Sequence, residues 1–145
     1  MITLETPPLT LSKKLVAVIN EKLDIGVALN ALAHMSLGLG TILGPDEALM
    51  CDYQDADSIS HSSISAYPFI VLKGRPSKIR EALAAAKTKG IITVDFTNTM
   101  TIGSYHDQMV RTKATLHSDL EIYGAVFYGE VSEVSELTRK FSLFK

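Results

Sequence analysis

The chain has 145 residues, of which 46% are hydrophobic and 21% are charged, values that are ordinary for a globular domain. This composition excludes a disordered or fibrous protein and predicts a single domain with its own core. A formal net charge of -2 gives no overall attraction to nucleic acid or to an anionic membrane surface. Cys51 is the only cysteine, which excludes an intrachain disulfide and favours a reducing compartment.

The N-terminal segment is predicted to be an arm that precedes the domain. Pro7 and Pro8 stand among several Thr and Ser residues, so residues 1–12 are expected to be extended, and residues 13–145 to form one α/β domain. The chain does not begin with a basic segment followed by an apolar one, and no window holds about 18 unbroken apolar residues. We therefore expect no membrane span and a cytoplasmic location.

The first structural unit is a strand followed by an apolar helix. Lys13 to Asn20 is a short β-branched run, typical of a strand that is covered on both faces. A turn at Asp24 to Gly26 leads into a helix over 27–39, whose only polar side chains are Asn30, His34 and Ser36. A helix of this kind must be covered on more than one side, by the sheet and by a loop, another helix or a second subunit.

The segment between Gly44 and Tyr67 has a different composition. It holds five acidic residues and no Lys or Arg, and it is rich in serine. We predict a long loop, with a short strand around residues 48–53, that packs over the first helix.

Strands and helices alternate through the rest of the chain. The inner face of the third helix is predicted from Ile102, Tyr105 and Met109. The alternation predicts a three-layer α/β/α sandwich around a mostly parallel, mixed sheet. The predicted strands span 67–73, 91–97 and 121–128, and the predicted helices span 76–89, 101–114 and 132–140.

Polar residues at two places indicate where a site would lie. Asn30 and His34 are four residues apart and share one side of the first helix, while Asp95 and Asn98 lie at the end of the third strand. Because ligands bind at the carboxyl ends of strands in such sheets, we predict that these four side chains converge. The candidate catalytic residues are His34, Asp95 and Asn98. The candidate ligand-binding residues are Gly26, Asn30, Thr97 and Tyr105.

A second candidate site is positively charged. Lys73, Arg75 and Lys78 stand near the start of the second helix, whose free amides also favour anions, so they could contact phosphate groups. The alternative is a solvated helix face. The acidic segment shows no ligand spacing of a known calcium or zinc loop, and we expect neither a metal nor a cofactor.

Several segments together resemble the domain of unknown function 2000 family over roughly residues 13–144. They are Lys14-Leu-Val-Ala-Val-Ile, the helix from Gly26 to Gly38, Pro68-Phe-Ile-Val-Leu-Lys73, Val94-Asp-Phe-Thr97 and Tyr123-Gly-Ala-Val-Phe-Tyr-Gly129. This resemblance implies no particular activity.

The layout is also distantly similar to the type 2 peptidyl-tRNA hydrolases, through Gly26 and the Ala33-His34 pair. That resemblance implies a three-layer α/β/α sandwich that is often dimeric. Those hydrolases have a lysine after the glycine, where this chain has Val27, and a carboxylate at the third strand's end, where it has Asn98. An amide cannot act as a general base.

Three hypotheses for function follow. The first is a binding module for a small molecule or a protein, or an enzyme of unrecognised activity, with its pocket around Asn30, His34 and Asp95. The second is a peptidyl-tRNA hydrolase, the only hypothesis in which a nucleic acid, tRNA, is a partner. The third is a homodimeric structural protein that associates through the 26–40 helix.

Overall fold

A computed structural model describes residues 2–145 and gives them seven strands and four α-helices. Two short 3-10 turns lie at Asn98–Met100 and His117–Asp119. In chain order the elements are β1 (Lys13–Asn20), α1 (Ile25–Glu47), β2 (Met50–Gln54), β3 (Ser60–Ser65), β4 (Phe69–Gly74), α2 (Pro76–Thr88), β5 (Ile92–Thr97), α3 (Tyr105–Lys113), β6 (Ile122–Glu130), α4 (Val131–Thr138) and β7 (Ser142–Leu143).

The main sheet has five strands in the order β5-β6-β1-β4-β7. Only β1 and β4 are parallel, and the other three strand pairs are antiparallel, so the prediction of a mostly parallel sheet is wrong. A helix between two strands implies parallel strands only if it carries the chain back across the sheet. Helix α3 has no buried residue and does not cross the sheet, so β6 starts at the edge where β5 ends and runs antiparallel to it.

The core lies on both faces of this sheet. Along β1, Leu15, Ala17 and Ile19 pack with α1 on one face, because successive side chains of a strand point to opposite sides. Val16 and Val18 point to the other face, where they pack with residues of α2 and α4. The continuous apolar run that predicted β1 is therefore explained by cover on both sides.

Helix α1 is longer than predicted and only partly covered. It continues to Glu47 through a kink at Gly44, whose φ of 70° and ψ of 172° are not helical. Ala28, Ala31, Met35 and Leu39 are buried against the sheet. The opposite side of the helix, which includes Leu29 and Leu37, is exposed.

The segment after α1 does not cover that exposed side. Residues 50–65 form the hairpin β2–β3, where a long loop with one short strand was predicted. A hydrogen bond joins the hairpin's base to the end of the helix, where Ser65 Oγ donates to the carbonyl of Ala48, the C-cap residue of α1, at 2.6 Å. The expected packing of this segment over α1 is therefore wrong along most of the helix.

By length and composition alone, α1 is apolar enough to cross a membrane. An 18-residue stretch of it has a mean hydropathy of 1.5, and 22% of that stretch is buried. The helix contains no unbroken run of 18 apolar residues, because polar side chains such as Asn30 and His34 interrupt it. A core helix passes the same test, and one side of α1 does pack on the sheet.

A polar network fixes the far end of α1 to the sheet. The Tyr128 hydroxyl lies 2.7 Å from a Glu47 carboxylate oxygen and 3.1 Å from the Glu47 carbonyl, and Lys13 Nζ donates to the same carboxylate at 2.5 Å. Bonds from Lys13 and Tyr128 lower the pKa of Glu47, whereas burial and the bond to Glu47 raise the pKa of Tyr128. The network joins β1, α1 and β6.

A second buried anchor is Asn20, which ends β1. Its Nδ2 donates to the Ile122 carbonyl at 3.1 Å, and its Oδ1 accepts from the Lys22 amide at 3.0 Å. The carboxyl end of β1 is therefore tied to the start of β6 beside the predicted site.

Candidate functional site

The structure has a groove at the edge of the sheet, where α1, β5 and the start of α3 meet. This polar groove has a volume of about 370 Å³. Its polar lining residues are Asn30, His34, Asp95, Thr101 and Gln108. Three of the four residues that were predicted to converge, Asn30, His34 and Asp95, thus border one groove.

The floor of the polar groove is apolar and aromatic. The His34 ring stacks on Phe96 with centroids 5.5 Å apart and an interplanar angle of 25°. Met35 and Val94 complete the floor, and Met100 lines it from the turn after β5. Stacking holds one face of the imidazole and leaves its edge open to the groove.

Asn30 and His34 are the free polar groups of this groove. Both residues are exposed, and neither side chain has a hydrogen-bond partner within residues 2–145. By contrast, Thr101 Oγ1 donates to the Asn98 carbonyl at 2.9 Å and Gln108 Nε2 donates to the Gly103 carbonyl at 3.3 Å. Asn30 and His34 are therefore available to hydrogen bond to a ligand.

Asp95 lines the groove from the edge strand but is not paired with His34. Val94 and Phe96 pack with the α1 side of the core, so alternation directs the Asp95 side chain toward the opposite face. In the part of the chain that the structure describes, no ion pair or hydrogen bond joins Asp95 to His34. His34 and Asp95 therefore do not form a histidine–carboxylate pair in which the carboxylate orients the imidazole.

Thr97 and Asn98 are engaged in the fold outside the groove. Thr97 is fully buried and its hydroxyl lies 2.9 Å from that of Thr99. The side-chain Oδ1 of Asn98 accepts a hydrogen bond from the backbone N–H of Glu121 at 3.0 Å, and the backbone N–H of Asn98 donates to the Glu121 carbonyl. These bonds hold the ends of β5 and β6 together.

Gly26 and Tyr105 also lie outside the polar groove. Gly26 is in the first turn of α1, and a Cβ placed there would meet no atom within 4 Å. Tyr105 begins α3 and is 79% exposed. The predicted inner face of the third helix is wrong, because Ile102 and Met109 are exposed as well.

The positive residues near α2 lie close to acidic side chains. Lys73 is half-buried in β4, and Arg75 Nε lies 3.9 Å from a Glu21 carboxylate oxygen. Lys78 pairs with Glu81 at 2.9 Å, on the surface of α2. Two of the three predicted phosphate contacts are therefore already partnered by acids.

No metal centre forms within residues 2–145, where no group of three or more His, Cys, Asp or Glu side chains could hold an ion. Cys51 is buried in the hairpin, where its Sγ lies 3.6 Å from the Ile64 carbonyl.

Sequence reasoning missed Phe96, Met100, Thr101 and Gln108 as groove residues. Phe96 carries a weak signal, since an aromatic residue near the end of a strand is often part of a pocket floor. Gln108 carries none, because its place beside α1 depends on how α3 packs.

The fold and the groove define a mixed α/β domain with a five-stranded, mostly antiparallel sheet and a polar groove at one edge. The family model "Protein of unknown function (DUF2000)" matches residues 13–145, and the chain belongs to that family, as its resemblance predicted. A comparison with curated proteins gives no match.

Among solved structures, the chain is similar to a protein of unknown function from Agrobacterium tumefaciens strain C58. The two share 15% sequence identity, and the TM-score is 0.81 over 94% of this chain and 100% of the other. At this identity the similarity establishes the fold alone.

Proposed function

We propose that the polar groove binds a small polar molecule. The observation that carries this proposal is the pair of unpartnered polar side chains, Asn30 and His34, beside an aromatic floor in a groove of about 370 Å³. Ligand sites combine such an apolar floor with a few polar groups that fix orientation, at volumes of about 300–1,000 Å³. The Asn30 amide offers both donors and an acceptor, and His34 adds a further donor or acceptor.

Binding is better supported than catalysis. His34 has no carboxylate to orient it, and the Asn98 amide is already bonded to Glu121. The finer fold assignment, a three-layer α/β/α sandwich like that of type 2 peptidyl-tRNA hydrolases, is supported by helices on both sheet faces. Peptidyl-tRNA hydrolysis stays the alternative, and the absence of turnover of peptidyl-tRNA by the wild type would exclude it.

The binding proposal can be tested by NMR with a library of small polar and aromatic fragments. Fragments that bind are expected to shift the resonances of His34 and Gln108, and to lose at least tenfold in affinity in His34→Ala and Asn30→Ala. His117→Ala is the matched control, since His117 is an exposed histidine outside the groove. The proposal is wrong if no fragment binds, or if binding survives both groove variants unchanged.

A second candidate function is self-association through α1, and the exposed side of that helix favours it. Leu37 is 72% exposed, and Gly26 and Gly40 leave open space on the helix surface. Between Ile25 and Pro45 there is no Asp, Glu, Lys or Arg. A two-fold axis places the same surface opposite itself, so a surface without charge can pair with a second copy without repulsion.

Sedimentation velocity over a range of concentrations tests this dimer. Leu37→Lys would place two like charges in the interface and is expected to shift the protein to monomer. Leu116→Lys is the matched control, because Leu116 is 71% exposed but lies outside α1. A wild type that stays monomeric at every concentration would exclude the dimer.

A further inference from the structure

Helix α3 is packed with its polar side inward and its apolar side outward. Arg111 donates to the carbonyls of Thr99 and Ile102, and Thr112 Oγ1 donates to Thr99 Oγ1 at 2.8 Å. None of its residues is buried. An ordinary surface helix has the reverse arrangement, and an exposed apolar surface of this kind is typical of a binding site.

This outward side forms a second groove beside the first. The apolar groove has a volume of about 640 Å³ and is lined by residues of α3 that include Tyr105, Met109 and Val110. Met100 and Gln108 line both grooves, so the two grooves are neighbours. The polar groove lies at the α1 end and the apolar groove lies along α3, which matches the order of the polar head and the apolar chain in an amphiphile.

We propose that the two grooves together bind a neutral single-chain amphiphile, with its head beside Asn30 and His34 and its chain along Tyr105 and Met109. This proposal rests on the proposed function, because it assigns a ligand class to the same polar groove. From residue 105 to residue 113 the helix is about 12 Å long, enough for a chain of medium length. Met100 and Met109 are flexible and polarisable, and such side chains adapt to a chain.

The charges around the two grooves favour a neutral head. No Lys or Arg lines the polar groove. An anionic head would therefore have no positive side chain beside it to compensate its charge. Lys113 is the one Lys that lines the apolar groove, and it lies at the C-terminal end of α3, away from the polar groove.

The test is a titration with alkyl glucosides below their micelle concentrations, followed through methionine methyl and His34 resonances. Methyl glucoside serves as the head alone, hexyl to octyl glucosides vary the chain, and octyl sulfate is the anionic counterpart. We expect the Met100, Met109 and His34 signals to shift together, and affinity to rise about threefold to fourfold per methylene. Octyl sulfate is expected to bind more weakly than octyl glucoside.

Two variants separate this groove from other apolar surfaces. Met109→Ser is expected to weaken octyl glucoside about fivefold and to leave methyl glucoside unchanged. Leu37→Ser is the control on the exposed side of α1 and is expected to change neither. Loss of octyl glucoside binding in Leu37→Ser but not in Met109→Ser would overturn the proposal.

The remaining outcomes separate this inference from the proposed function. Shifts of His34 that do not depend on chain length would overturn the amphiphile and leave the binding of a polar molecule standing. Shifts of Met109 without shifts of His34 would show two independent surfaces and overturn the proposal. Absence of any shift at His34, with glucosides and with polar fragments alike, would overturn both.

Discussion

Tyr128→Phe removes one hydroxyl from the network that ties the end of α1 to the sheet. That hydroxyl bonds to the carboxylate of Glu47 at 2.7 Å and to its carbonyl at 3.1 Å. A hydrogen bond to a charged group contributes about 1.5–3 kcal/mol when it is shielded from water. Because the Glu47 side chain is 46% exposed, water replaces part of the bond, and we expect a loss of about 1–1.5 kcal/mol.

Thermal unfolding followed by circular dichroism measures this loss. For a domain of this size about 1 kcal/mol corresponds to roughly 2–4 °C, so the variant's Tm should fall by about 3–5 °C. The aromatic contact with Tyr67 does not depend on the hydroxyl and is kept. Tyr53→Phe is the matched control, since Tyr53 is exposed in the hairpin, and it should change Tm by less than about 1 °C.

The pH dependence of the same difference gives a second check. The pKa of Glu47 is lowered in the folded state, so its bonds stabilise the fold above its ordinary value near 4.5 and are lost as the pH falls below it. Once Glu47 is protonated, the Tyr128 bond no longer has a charged acceptor. The gap in Tm between wild type and Tyr128→Phe should therefore shrink below pH 4.5. A gap that is absent at pH 7, or that grows in acid, would refute the reasoning.

Three further substitutions test other parts of the fold. Asn20→Ala leaves the buried Ile122 carbonyl and the partly buried Lys22 amide without their partner. It should cost about 1–3 kcal/mol in urea unfolding, and a loss below about 0.5 kcal/mol would contradict this. Gly44→Ala places a side chain on a residue with positive φ and should destabilise the fold by about 1–3 kcal/mol. Gly40→Ala, inside the helix, should stabilise the fold slightly, and equal effects of the two substitutions would contradict this prediction. Ser104→Ala removes the capping box with Asp107, so amide exchange in α3 should be about fivefold faster, with little change in global stability.

The local elements were largely predictable because their signals are local. The β-branched run that became β1 and the Pro76 start of α2 needed no tertiary information. The outer face of α1 was predicted to be covered by the segment that follows it, and this was wrong, since Leu37 on that face is exposed. The position of helix α3 in the chain was predicted, but the side of the helix that faces the domain was predicted wrongly. Tyr105 and Met109 predict an inner face by hydrophobicity alone.

The candidate site was predicted in part. Asn30 and His34 were paired by their spacing on one helix, and Asp95, which was predicted to lie near them, also borders the groove. The sequence could not show that Asp95 points away from His34, since this depends on which face of β5 packs against α1. Nor could it show that Asn98 is bonded to Glu121, a residue 23 positions further along the chain.

The sequence by itself determined the mixed α/β class of the fold and the apolar character of α1, because composition and periodicity depend on neighbouring residues. Tertiary structure decided the strand directions and the orientation of α3. The physical reason is that the carbonyls of Thr99 and Ile102, on the body of the domain, accept hydrogen bonds from Arg111 Nη2, so the polar side of α3 packs inward and its apolar side faces outward. Because α3 packs in this orientation, it does not cross the sheet, β6 runs antiparallel to β5, and the groove forms beside His34.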